Sequence, residues 1–260
     1  MKRIIYSIYT NNIDVESSHL SSSDLKRSQF EKWKDNIEAN QKKYALLCGA
    51  DYELHTTQTT SYHQIQFEKL LLLEHYSKHY DEMLYMDFDV VSHTTVSFFE
   101  YHDMKNLLAH GLDRTPEDHI LKRMIRKGRQ AHEQAVFTKT CAKNAMLLLE
   151  DIKGSDILIN TGVVGCNKNI VEQIKLSDRL NSLYDLLDEA KNDNLYPLEI
   201  SDGFFYNNEV FLSFLVERYK IPYINIGMPW NFMLDDYCRK PSAAAHLVHH
   251  VNKEFEHSFG

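Results

Sequence analysis

Residues 82–91 (EMLYMDFDVV) constrain this 260-residue chain more than any other stretch. Residues 83–86 form a continuous apolar run, the pattern of a strand buried on both faces. Two aspartates, Asp87 and Asp89, close it. A strand of this kind belongs to a layered α/β fold, where ligands bind beyond the C-terminal edge of the sheet. Alternation along a strand places Asp87 and Asp89 on one face, with Phe88 opposite. Two carboxylates pointing the same way repel each other unless a cation lies between them. Mg²⁺ and Mn²⁺ are hard cations that accept such oxygen ligands. Taken alone, the pair also fits strand-end aspartates that cap a neighbouring helix or face water.

The rest of the chain alternates strand and helix signals. Residues 3–10 are β-branched and aromatic, and read as a first strand. Ser23 or Asp24 opens a helix whose stripe is Phe30, Trp33, Ile37, Tyr44 and Leu47, with Gly49 as its stop. A short strand is expected at 51–55 and a helix at 63–79. Residues 103–135 are charged and helical in propensity, and 138–152 form another helix. A strand interrupted by Gly162 covers 156–166, and helices follow at 170–191 and 208–219. Strands at 221–226 and 243–251 complete the pattern. Alternation of this kind indicates a mostly parallel central sheet flanked by helices.

Composition narrows the function. The net charge is −8, which argues against nucleic acid and anionic lipid as partners. The four cysteines, Cys48, Cys141, Cys166 and Cys238, contain no CxxC pair and read as reduced thiols. The N-terminal apolar run is too short for a signal-peptide core. No run approaches the ~18 apolar residues of a membrane span. A cytoplasmic protein without a transmembrane segment is therefore expected.

Other residues extend the possible site. Gly162 would let a ligand approach the backbone, and Asn160 offers both a donor and an acceptor. Asn160 also fits a turn-supporting asparagine at a strand break. Asn207 and Asn208 fit an N-cap of the helix that follows. His249 follows an apolar strand, and a neutral imidazole suits a metal beside two carboxylates. A lone histidine of this kind also fits a hydrogen-bonded structural residue. Tyr9, Thr10, Asn11 and Asn12 form a turn at the end of strand one.

Residues 67–91 (FEKLLLLEHYSKHYDEMLYMDFDVV) resemble the segment ending in the DxD motif of GT-A glycosyltransferases. The pattern is most similar to the retaining, family 8-like enzymes related to glycogenin and the bacterial lipooligosaccharide galactosyltransferases. Lys69 takes the place of the basic residue on the preceding helix, about one residue off the usual spacing. Residues 159–164 (INTGVV) are similar to the family's "FNxGv" strand, and Tyr206 to Val210 to its "DQD-x-LN" helix start. Residues 230–233 (WNFM) resemble its "NFM" strand, and 245–253 its C-terminal "iiHf-x-G-x-K" segment. Three departures stand out. Asn207 replaces an acid, Asn208 is one methylene shorter than Gln, and the C-terminal Gly and Lys-Pro-Trp ending are missing. Residues 101–140 match nothing in the pattern.

The resemblance implies a single Rossmann-like GT-A domain over 1–260, with a helical insertion at about 101–140. It implies transfer of a sugar from a UDP-sugar to the hydroxyl of a glycan, lipid-linked or protein acceptor. Mn²⁺ or Mg²⁺ would be held by Asp87, Asp89 and His249. Lys253 would grip the diphosphate, and Tyr9, Thr10 and Asn12 would meet the base and ribose. Lys69, Asp87, Asn160 and Gly162 would line the donor pocket. Asn208 would lie under the anomeric carbon, with Glu209 at the acidic position after it. Two other readings stay open: a haloacid-dehalogenase-like phosphatase with Asp235 and Asp236 as a late acidic pair, and a catalytically inactive nucleotide-sugar-binding module.

Overall fold

The computed structural model describes residues 1–10, 23–59, 61–112, 130–192, 204–234 and 240–260. Expectations for Asn11, Asn12, Asp235, Asp236 and Cys238 fall outside these residues. The fold is mixed α/β, with a central sheet flanked by helices. The strands of the sheet are β1 (Arg3–Tyr9), β2 (Asp51–Thr56), β3 (Glu82–Met86), β5 (Leu107–Gly111), β6 (Ile159–Asn167) and β7 (Tyr223–Asn225). Their order is β2-β1-β3-β6-β5-β7. β6 runs antiparallel to both of its neighbours, and the other pairs are parallel. The reversal of β6 matters for the site, because it brings the start of β6 to the edge where β3 ends.

Side-chain alternation sends the two faces of the sheet into two cores. Ile4, Tyr6, Met83, Tyr85, Leu107 and Val164 face the larger cluster. It is closed by α2 (Tyr62–Tyr76), α4 (Gln130–Leu149), α5 (Lys168–Ile174), α6 (Leu176–Asn192) and α7 (Asn208–Arg218). Ile5, Leu84, Met86, Leu108 and Val163 face a second cluster with Tyr44 of α1 (Ser23–Leu47) and Phe98 of α3 (Phe98–Tyr101). Burial on both sides explains the unbroken apolar runs of the central strands. A short helix α8 (Glu256–Phe259) ends the chain. Among the described residues, no helix is long and apolar enough to cross a membrane.

Four expectations change. Residues 82–91 are not one strand: β3 stops at Met86, the chain turns, and β4 (Val90–Ser92) joins a second sheet. That sheet has the order β4-β9-β8, with β8 at Phe232–Leu234 and β9 at Leu247–His250. The expected helical stretch 103–135 contains the fully buried strand β5, because five residues without charge suffice for a strand between two partners. The expected helix 170–191 is two helices, divided at Lys175, whose φ of 43° breaks the helical path. Leu47, expected in the buried stripe of α1, is exposed.

Candidate metal and donor site

The aspartates sit in the turn between the two sheets rather than on a strand. The Asp87 amide donates to the Gly162 carbonyl at 2.7 Å, and the Val90 amide to the Asp87 carbonyl at 2.9 Å. Gln41 of α1, fully buried, pins this turn. Its amide nitrogen donates to the carbonyls of Asp87 at 3.3 Å and Val90 at 2.9 Å. Its oxygen accepts from Ser7 and Tyr52. Gln41 carried no signal in the sequence, where it is one polar residue among many on a helix.

β9 pairs with β4, which places His249 opposite Val90. The His250 amide donates to the Asp89 carbonyl at 2.9 Å, tying strand to turn. His249 Nε2 then lies 3.3 Å from Asp89 Oδ2 and 3.7 Å from Asp87 Oδ2. One ligand atom from each of Asp87, Asp89 and His249 lies within 4.8 Å of the others. Two carboxylates and an imidazole suit a divalent cation of the Mg²⁺ or Mn²⁺ type. The neighbouring histidines are engaged elsewhere. His250 Nδ1 meets the Glu254 carbonyl and its Nε2 meets Ser258, while the His246 ring stacks on Trp230.

Two lysines flank the carboxylates. Lys69 Nζ, on a side chain only 3% exposed, reaches Asp87 Oδ1 at 3.3 Å. Lys253 bonds Asp89 Oδ2 from the turn after β9, where its own φ of 62° bends the chain back. Burial of Asp89 opposes its charge, but Lys253 and His249 outweigh that and hold its carboxyl below the usual carboxylate range. The Tyr85 hydroxyl donates to Asp87. Burial first, and then the Asp87 charge, push the Tyr85 phenol well up, so it stays a donor.

The start of β6 supplies the next group. The backbone of Gly162 meets the His249 ring: a Cβ there would lie 2.6 Å from its Cε1. Gly162 thus makes room for the histidine. Asn160 Nδ2 donates to Glu209 Oε1 at 2.9 Å, and Glu209 Oε2 accepts from Lys139 at 2.5 Å. Asn208 is buried and donates to Thr161 Oγ1 at 2.8 Å. Asn207 caps α7, accepting from the amides of Glu209 and Val210. At the end of β1, the Tyr9 ring packs 4.8 Å from Phe88, beside the aspartate turn. Thr10 is the last described residue of that edge.

No family model matches the sequence, and no curated protein matches it. Among solved structures, a glycosyltransferase involved in glycosylation of the major capsid of PBCV-1 is similar, with 12% identity and a TM-score of 0.47. The similarity covers 96% of this chain and 93% of that one. Mouse xyloside xylosyltransferase 1, in its apo form, is also similar, with 9% identity and a TM-score of 0.44, over 96% and 97% of the two chains.

Proposed function

We propose that this chain is a metal-dependent glycosyltransferase of a single GT-A domain, moving a sugar from a UDP-sugar to an acceptor hydroxyl. The observation that carries this reading is the cluster of Asp87, Asp89 and His249 with Lys69 and Lys253 around it. The two carboxylates and the two ammonium groups cancel in charge. A divalent cation added to them leaves a surplus that matches a diphosphate ester. The chain's net charge of −8 therefore does not bar an anionic substrate at this edge. The ordered resemblance of the sequence motifs supports the same reading.

The bound cation, Mn²⁺ or Mg²⁺, would act as a Lewis acid on the two phosphates. Lys253 and Lys69 add fixed positive charge where the leaving group gains negative charge. Asn160 and Asn208 orient the donor sugar from the β6 edge and the start of α7. Tyr9 and Thr10 lie on the base side. Glu209 is better placed to hold Asn160 than to take a proton, since its two carboxylate oxygens are engaged by Asn160 and Lys139. A retaining outcome, in which the diphosphate itself deprotonates the acceptor, needs no free carboxylate there.

The test is slow hydrolysis of UDP-sugars in the presence of Mn²⁺, with wild type and Asp89→Ala compared. Wild type should release sugar from one donor. The variant should lose about 10²–10³-fold while remaining folded, the scale expected for one charge-stabilising group. EDTA should stop turnover and Mn²⁺ should restore it. Full activity in excess chelator, or hydrolysis of p-nitrophenyl phosphate in place of UDP-sugars, would overturn the reading.

A further inference from the structure

A chain of side chains links α4 to the metal cluster, and its direction can be worked out atom by atom. Lys139 on α4 pairs with Glu209, which fixes Glu209 as a carboxylate that only accepts. The amide group of Asn160 that faces Glu209 must therefore be its NH₂, at 2.9 Å. A second constraint agrees: Asn160 Oδ1 faces the Gly162 amide at 3.0 Å, and an N–H can only donate. With Oδ1 so placed, the Asn231 group meeting it at 2.8 Å must be an NH₂ as well. The Asn231 oxygen is then left facing His249 Nδ1 at 3.2 Å. An amide oxygen cannot donate, so Nδ1 carries the proton.

We infer that Asn231 is a positioning residue that keeps a proton on His249 Nδ1, with Glu209 and Asn160 fixing the sense of the relay. Nε2, which faces the carboxylates of Asp87 and Asp89, is thereby the nitrogen that exchanges its proton for a cation. Partners on the far nitrogen of a ligating histidine orient the ring and raise its basicity. Asn231 is fully buried, between a short 3₁₀ turn (Met228–Trp230) and β8, so its orientation is not averaged by water. Turning either asparagine over would set donor against donor or acceptor against acceptor in a buried site, where an unmade hydrogen bond is costly.

This inference rests on the metal-site reading above, and its test separates the two. Long-range ¹H–¹⁵N NMR of the metal-free protein is recorded at neutral pH. His249 is assigned by its loss in His249→Gln. The expected spectrum shows a proton on Nδ1; a ring protonated at Nε2 alone overturns the inference. Mn²⁺ alone, followed by electron paramagnetic resonance, gives the second readout. Asn231→Leu should weaken Mn²⁺ binding by about 10–100-fold. Asn231→Asp keeps the acceptor toward Nδ1 but sets a second oxygen against Asn160 Oδ1, so it should lose less affinity than Asn231→Leu. Equal Mn²⁺ affinity of the Leu variant and wild type, or an equal loss in both variants, also overturns it. If the Leu variant does not fold, the wild-type spectrum decides. If wild type binds no Mn²⁺, the metal-site reading fails, while the tautomer still tests the relay.

Discussion

Gly162 shows how one absent side chain sets the geometry of the site. An alanine Cβ there would come 2.6 Å from His249 Cε1 and 2.7 Å from Nδ1, both far inside contact distance. The residue lies in the middle of β6 with the Asp87 amide bonded to its carbonyl, so the ring rather than the strand must give way. Gly162→Ala should weaken Mn²⁺ binding by roughly tenfold, as loss of ring alignment does. It should destabilise the fold by about 1–3 kcal/mol, the usual cost of overpacking. Mn²⁺ titration and urea unfolding of the variant check the two effects, and wild-type values in both would mean that the ring has room. Asp87, Asp89 and His249 stood out in the sequence because each adjoins an apolar run: β3 and β4 flank the turn that holds the aspartates, and His249 lies in β9. The part played by Asn231 did not stand out, although its motif did. It acts through residues 18 and 71 positions away, and only the reversal of β6 brings them together. Lys139 lies in the stretch that matched no pattern.

At the scale of elements, α4 and α7 are joined by Lys143, whose side chain is fully buried. Its ammonium donates to the carbonyls of Ser155 and Ile157, each at 2.8 Å, and pairs with Glu217. Glu217 also accepts from the Ser155 amide and hydroxyl. The group ties the helix pair to the loop leading into β6. Removing one member of a buried pair leaves the other uncompensated, at about 3–5 kcal/mol. Because Ser155 still bonds Glu217, Lys143→Met should fall at the lower end. Adding Glu217→Gln should cost less than the sum of the two single changes, a coupling that a double-mutant cycle in urea measures. Additive losses would mean that the pair does not act as a unit. The pattern of elements was read well where apolar runs were long, as in β1, β3 and α7. It was missed in β5, where a five-residue strand hides among charges. It was missed again in β4, three residues read as part of the strand before it, so the separate sheet that β4 forms with β9 and β8 was not expected. The turn that carries Asp87 and Asp89 is set by that second sheet, which is why the sequence alone reads their backbone as strand.

The whole molecule should respond to mild acid through its histidines. Burial lowers His93. Burial, with His246 nearby, holds His102 at about 4. Its ring lies against Phe98, Tyr101 and Trp230, and its buried Nε2 has no hydrogen-bond partner among the described residues. Burial likewise holds His250 at about 4, although the Glu254 carbonyl and Asp89 pull it up. An unfolded histidine titrates near ~6.5. Between about pH 6.5 and 4 the unfolded chain therefore takes up protons that the folded chain refuses, and stability falls as the pH drops. Each ring is only partly shielded, so each loses less than the ~1.4 kcal/mol per pH unit of a fully protected group. Asp89 acts in a different window. Its folded value is lowered, so its contribution is present above the ordinary carboxylate range and is lost only in stronger acid. A change between pH 7 and pH 5 thus reads the histidines. Protonation also relieves the repulsion behind the net charge of −8, which opposes the effect, and ~0.15 M salt screens most of that long-range term. Urea midpoints at pH 7 and pH 5 in that salt should show lower stability at pH 5, and His102→Phe should flatten the slope without removing it. A midpoint that stays level or rises at pH 5 would show that the folded protein takes up these protons as readily as the unfolded chain.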